Sequence, residues 1–205
     1  MTFYITVITV MVSIIAFQRK EVMGKLIFNP YRVKHHDEWH RFITSGLIHA
    51  NWPHLLINMF VFYQFGNAVE EYYNSLFPDK GWYYYLILYT GGIVVSILPT
   101  YSKHKDNPDY NALGASGAVS AIVFASILFQ PVQSLCLYGI LCLPGIVMGV
   151  AYLVYSYYMD KKSKDNINHG AHFWGAIFGV AFTLLLKPDI VEYFIEQIKN
   201  YKLFN

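Results

Sequence analysis

Residues 168–186 read N-H-G-A-H-F-W-G-A-I-F-G-V-A-F-T-L-L-L, without a single Lys, Arg, Asp or Glu. At ~1.5 Å of rise per residue a helix over this stretch nearly matches a hydrocarbon slab of ~30 Å. Two histidines in the first turn and the pair Gly175/Gly179 interrupt an otherwise apolar run. Working outward, five more stretches lack Lys and Arg and are mostly apolar: 2–17, 53–74, 81–102, 114–130 and 134–159. The composition agrees, with 55% apolar, 18% aromatic and only 14% charged residues, which moves the chain out of the soluble class. The expected fold is all-α, a polytopic membrane bundle of six transmembrane helices. The first and fourth spans fall short by about a turn, which a thinner or protein-covered bilayer core tolerates.

Residues 2–17 are read as a span of the mature protein, since neither a basic flank precedes them nor an A-x-A site follows. Cys136 and Cys142 both fall in the fifth span, well separated around a helix, so neither a disulfide nor a redox role is expected. A net charge of +2 with no sustained basic stripe points away from nucleic acid. A polar segment of residues 18–52 joins the first two spans and carries H-H-D-E-W-H-R at 35–41. Ordered loops of that length are often functional. Residues 1–188 are expected to form the membrane domain. The tail, 189–205, has Ile190, Phe194, Ile198 and Tyr201 at helical spacing and is expected to lie on the membrane surface.

Polar residues inside spans are the informative ones. The second span opens with His54 and Asn58 at i and i+4, on one face, with Pro53 in the first turn where no amide is needed. The fourth opens Gly114-Ala115-Ser116-Gly117, and the sixth carries His172 one turn in. Alternate spans run in the same direction, so these N-terminal ends share one side of the membrane and one depth. A serine hydroxyl becomes a nucleophile when a neutral imidazole accepts its proton, and Ser116 with His172 supplies that pair. No carboxylate occurs in either span, which predicts a dyad rather than a triad. The Ser116 backbone N–H, at a helix N-terminus, and the side chains of His54 and Asn58 are candidate oxyanion donors. Gly117 and Ala121 on one helix, and Gly175 and Gly179 on the other, have the small-xxx-small spacing that lets membrane helices touch.

G-A-S-G at 114–117, A-H-x-x-G-x-x-x-G at 171–179 and H-x-x-x-x-H-x-x-x-N at 49–58 resemble, in that order, the rhomboid intramembrane serine proteases. The resemblance covers essentially the whole chain and implies a six-helix rhomboid-like bundle with a long loop between helices 1 and 2. It implies that Ser116 is the nucleophile, His172 its general base, His54 and Asn58 part of the oxyanion hole, and His49 a structural support. Trp39 and Arg41 resemble the family's Trp-Arg element, here split by His40. Glu70 matches a glutamate that holds the cytoplasmic side together. Many members carry an aromatic four residues after the serine, stacked on the catalytic histidine, where this chain has Ser120. Transmembrane segments of other proteins are the implied substrates, and the fifth span, with Pro144-Gly145 in its middle, is the implied moving wall. No cofactor and no metal are expected.

The family topology implies a bacterial plasma-membrane protein with both termini cytoplasmic and the site opening to the extracytoplasmic side. The charges run against it: six Lys/Arg in the first loop, two in the third and three in the fifth would face outward, eleven of the fifteen. Two rivals remain. One is a non-catalytic rhomboid-like protein that binds membrane clients. The other is a histidine-box membrane metalloenzyme, suggested by eight histidines in groups such as H-x-x-H.

Overall fold

A computed structural model describes residues 1–137, 141–162 and 167–201. It is mostly helical. In chain order come α1 (Thr2–Gln18), then α2 to α4 and a 3-10 turn in the long loop (Lys20–Leu26, Pro30–His36, Arg41–Thr44, Ser45–Leu47), then α5 (Trp52–Leu76), α6 (Gly81–His104) and α7 (Ser116–Phe129). A short hairpin, β1 (Ser134–Leu137) and β2 (Leu141–Pro144), leads into α8 (Gly145–Lys162), α9 (His169–Leu186) and α10 (Ile190–Asn200).

The centre is α7, in which every residue but Ser116 and Val123 is buried. A helix that is apolar all round can be stable only inside other protein or inside lipid, and here α5, α6 and α9 surround it. Backbones meet at small residues. A methyl at Gly175 would stand 2.8 Å from the carbonyl carbon of Gly117, and one at Gly179 would stand 2.7 Å from that of Ala121. The two contacts are four residues apart on both helices, so α7 and α9 run parallel in a fixed register.

The outer helices are apolar on the wrong side for water. On α1 the buried stripe is Thr2, Thr9, Ser13 and Ala16, whereas Phe3, Tyr4, Ile8, Met11 and Ile15 are exposed. On α5, Leu56, Ile57 and Phe60 are exposed in the same way. Small polar residues inward and large apolar residues outward are what a hydrocarbon solvent selects. By length and composition, Gly81–His104 and His169–Leu186 are able to cross a bilayer, and Thr2–Gln18 and Ser116–Phe129 are apolar but shorter.

Two expectations need correction. Ser134–Leu137 and Leu141–Pro144, expected from the sequence to lie at the start of the fifth span, pair instead as the strands of the hairpin, and the helix begins only at Gly145. Pro144 therefore ends a strand rather than bending a helix. Its register sets Cys136 opposite Cys142, and the two are joined in a disulfide. On a helix six residues put side chains on different faces, but across a hairpin they face one another. The tail forms the helix α10, which touches the end of α7: Ile190 is buried and Gln197 Nε2 donates to the Phe129 carbonyl, 3.0 Å.

Candidate active site

The segment before α7 is held from three sides. Gly114 has φ +114°, a conformation that L side chains rarely adopt, and its N–H donates to the Ser45 carbonyl, 2.9 Å. The next amide, Ala115 N–H, points at His49 Nε2, 3.5 Å away, and the other ring nitrogen of His49 is 3.0 Å from Ser13 Oγ on α1. His49 is fully buried. Burial, and secondarily the His54 charge, hold its imidazole down to about 3, so it stays neutral and can accept. His49 thus bridges α1 to the residue preceding Ser116.

His54 lies on the other side of the same turn. A methyl at Gly114 would stand 2.7 Å from His54 Cε1, so glycine is required there both by the backbone and by the ring. The His54 amide is capped by the Asn51 side chain, 2.9 Å, which with Pro53 starts α5 cleanly. Asn58, one turn on and buried, donates one amide hydrogen to the His54 carbonyl, 2.9 Å. That bond leaves the second amide hydrogen as a donor. The His49 and His54 rings meet edge to face, 4.9 Å between centroids. Ser116 begins α7, where the first-turn amides have no partner within the helix.

His172 sits in the first turn of α9, one turn before Gly175. Gly175 touches Gly117, the residue after Ser116. The parallel register of α7 and α9 therefore brings the Ser116 and His172 ends of the two helices to one level, both half-buried. His169, which precedes His172 by three residues, is buried, with its ring edge-on to that of His172, 6.0 Å between centroids. An alcohol and an imidazole at the ends of touching helices, beside amide and imidazole donors, are the parts of a nucleophilic acyl-transfer site. Among the described residues no group of three or more His, Cys, Asp or Glu comes together as a metal set.

The remaining residues of the sequence pattern frame the site. Arg41 is buried and donates to the carbonyls of Gly24 (2.9 Å) and Ile27 (2.6 Å) and to Glu38, pinning the loop between α1 and α5. Trp39 remains exposed and stacks on Phe42, 9° between planes. Glu70, at the far end of α5, accepts the Thr2 amide at 2.8 Å and the Met1 amine. It neutralises the N-terminal end of α1.

Sequence reasoning missed Tyr152 on α8, whose ring lies beside His172 with 6.1 Å between centroids and 19° between planes. A signal was present: Gly145, Gly149, Tyr152 and Ser156 form one stripe at helical spacing, three small residues and one ring. It was hidden because the helix was expected to start eleven residues earlier.

Residues 36–189 match the Rhomboid domain family. The chain is 29% identical over 167 residues to the chloroplastic Rhomboid-like protein 11 of Arabidopsis thaliana, covering 73% of this chain and 53% of that protein. It is 28% identical over 157 residues to the mitochondrial RHOMBOID-like protein 12 of the same plant, covering 72% and 47%. A Bacillus subtilis protein named "Putative rhomboid protease YdcA" is 30% identical over 148 residues, covering 72% and 67%. The chain thus spans about half the length of the two plant relatives.

Proposed function

The chain belongs to the rhomboid family, a membrane-embedded family, and from that premise we propose that it is an intramembrane serine endopeptidase working through a Ser116–His172 dyad. The observation that carries the reading is the backbone contact of Gly117 with Gly175, which sets the first turns of α7 and α9 side by side. Neutral His172 takes the Ser116 hydroxyl proton as Oγ attacks the substrate carbonyl. The charge that develops on the carbonyl oxygen meets the Ser116 amide and the side chains of His54 and Asn58. Collapse of the tetrahedral intermediate breaks the C–N bond, His172 gives its proton to the leaving amine, and an acyl ester remains on Ser116. Water, deprotonated by His172, then hydrolyses the ester.

Substrates in this reading are transmembrane segments of other proteins, cut near small residues where a helix unwinds readily. A carbonyl bonded within a helix is shielded from attack, so local unwinding must come first. The protein is a six-span protein of a bacterial plasma membrane, with residues 1–188 as the membrane domain and the Ser116 end facing out of the cytoplasm. Cysteines introduced at 104 or 162 and labelled from outside intact cells test the last point; protection of both from the outside reagent reverses the orientation.

Covalent labelling by a fluorophosphonate, with the modified residue located by mass spectrometry, tests the chemistry. Label on Ser116, lost in Ser116→Ala and in His172→Ala while both stay folded, is the expected outcome. An unlabelled, folded wild-type protein that still binds single-pass membrane proteins would establish the non-catalytic reading instead.

A further inference from the structure

The helix α8 meets the bundle along one stripe, in which Gly145, Gly149 and Ser156 are buried. Its other faces are open: Val147, Val150, Val154, Tyr157 and Tyr158 are exposed. Gly149 rests on Phe124 and Ile127 of α7. Tyr152 is the one large side chain of the stripe, half-buried, and it reaches two places at once. Its hydroxyl is 3.2 Å from Ser120 Oγ, one turn after Ser116 on α7. Its ring lies nearly parallel to the His172 ring on α9, within the range of an offset stack.

Resting on the protease reading above, we propose that Tyr152 is a positioning residue for His172, its ring fixing the plane of the imidazole and its hydroxyl tied to α7 through Ser120. An imidazole in the first turn of a helix turns about two side-chain bonds, and a flat ring alongside removes most of that freedom. The tether matters because it adds a polar link beside the packing of Gly149 on Phe124 and Ile127, a smooth contact along which a helix can slide and tilt. The placement of the base therefore depends on where α8 sits: tilting α8 away from α7 withdraws the ring. Ser120 is small because the ring comes from α8. A large side chain at position 120 would occupy the space that Tyr152 fills.

The test uses the full-length protein in liposomes, a single-pass transmembrane substrate with a Gly/Ala-rich segment, and the rate of fluorophosphonate labelling at Ser116 as a readout that needs no substrate. Tyr152→Leu keeps bulk and loses the ring: kcat and the labelling rate are expected to fall roughly tenfold or more, with KM within about twofold. Tyr152→Phe and Ser120→Ala keep the ring and lose only the tether, and are expected to lower the labelling rate by roughly threefold, a smaller loss than that of Tyr152→Leu. The double variant Ser120→Phe with Tyr152→Ala supplies the ring from α7 and is expected to recover most of the labelling rate, which a purely structural role for Tyr152 would not produce. Wild-type labelling by Tyr152→Leu, a loss confined to KM, or failure of a folded double variant to regain activity would each overturn the proposal. Absence of label on the wild-type protein would instead remove the protease reading itself.

Discussion

Gly175→Ala puts the contact between α7 and α9 to a direct test. The added methyl would stand 2.8 Å from the Gly117 carbonyl carbon and 3.0 Å from its Cα. Ordinary carbon–carbon contact begins near ~3.5 Å, and backbone atoms cannot rotate away as a side chain could. The helices must part locally by roughly 1 Å. Overpacking of that kind costs about 1–3 kcal/mol, a fall in melting temperature of several degrees for a chain of this size. The effect on rate is expected to be larger. Gly117 follows Ser116 directly and Gly175 lies one turn from His172, so the displacement falls on the separation of the two groups of the proposed dyad. A misplacement of ~1 Å at reacting groups costs on the order of 10²-fold. Gly179→Ala meets Ala121 at 2.7 Å but more than a turn further from Ser116, and should lose similar stability with a smaller loss of rate. Gly24→Ala, where nothing lies within 4 Å of the added methyl, is the neutral control. Labelling rates and thermal unfolding measured on the three variants decide the matter. A Gly175→Ala protein that loses the expected stability yet labels within a few-fold of wild type would show that this contact does not set the dyad.

Asn58→Ala should lower kcat by about 10² if the free amide hydrogen serves the oxyanion, measured as cleavage rate at saturating substrate. Arg41→Ala leaves the carbonyls of Gly24 and Ile27 without their donor and should destabilise by about 3 kcal/mol, read from denaturant unfolding. His49 binds its proton far more weakly when folded, at about 3 against an ordinary 6.5. The stability from its neutral form is complete above pH ~6.5 and is lost as pH falls from there through about 3; His49→Phe should flatten that part of the profile. Reduction of the Cys136–Cys142 bridge, which closes a short loop, should cost about 2 kcal/mol in the chain-entropy account, seen as a lower melting temperature in reductant.

The parts of the fold that were legible are those where length and polarity act together. Residues 168–186 and 81–102 announce helices by sheer apolar length, and their observed bounds, His169–Leu186 and Gly81–His104, differ by a residue or two. Residues 134–159 differ because hydropathy does not distinguish a strand from a helix when nearly every position is apolar. S-L-C-L and L-C-L-P have neither the alternation of a half-buried strand nor a helical stripe. Pro144-Gly145 marks a stop in the sequence, but a proline there fits a bend inside one element as well as a boundary between two. The facing of the two cysteines and of Tyr152 depends on that boundary, so neither follows from the pattern without it.

The candidate site was more legible than the helix bounds for a reason that lies in the solvent. In water the inward face of a helix is marked by apolar residues, and the pattern reports both the element and its orientation. In hydrocarbon the outward face is as apolar as the inward one, as exposed Phe3, Ile8 and Leu56 show, so the apolar pattern reports length and loses the facing. The inward face is marked by residues that are small or that need a partner: Ser13 bonded to the Leu47 carbonyl, Thr183 to Tyr73 at 2.8 Å, Gly175 against Gly117. Each polar residue in such a helix carries a cost that only a protein contact offsets. For that reason Ser116, His54, Asn58 and His172 stand out of the sequence without any knowledge of how the helices pack. Tyr152 does not, because a tyrosine's apolar ring and polar tip are at home in lipid, at the interface and in the core alike. Its place shows only in its company, a stripe with Gly145, Gly149 and Ser156 that becomes legible once the helix is known to begin at Gly145.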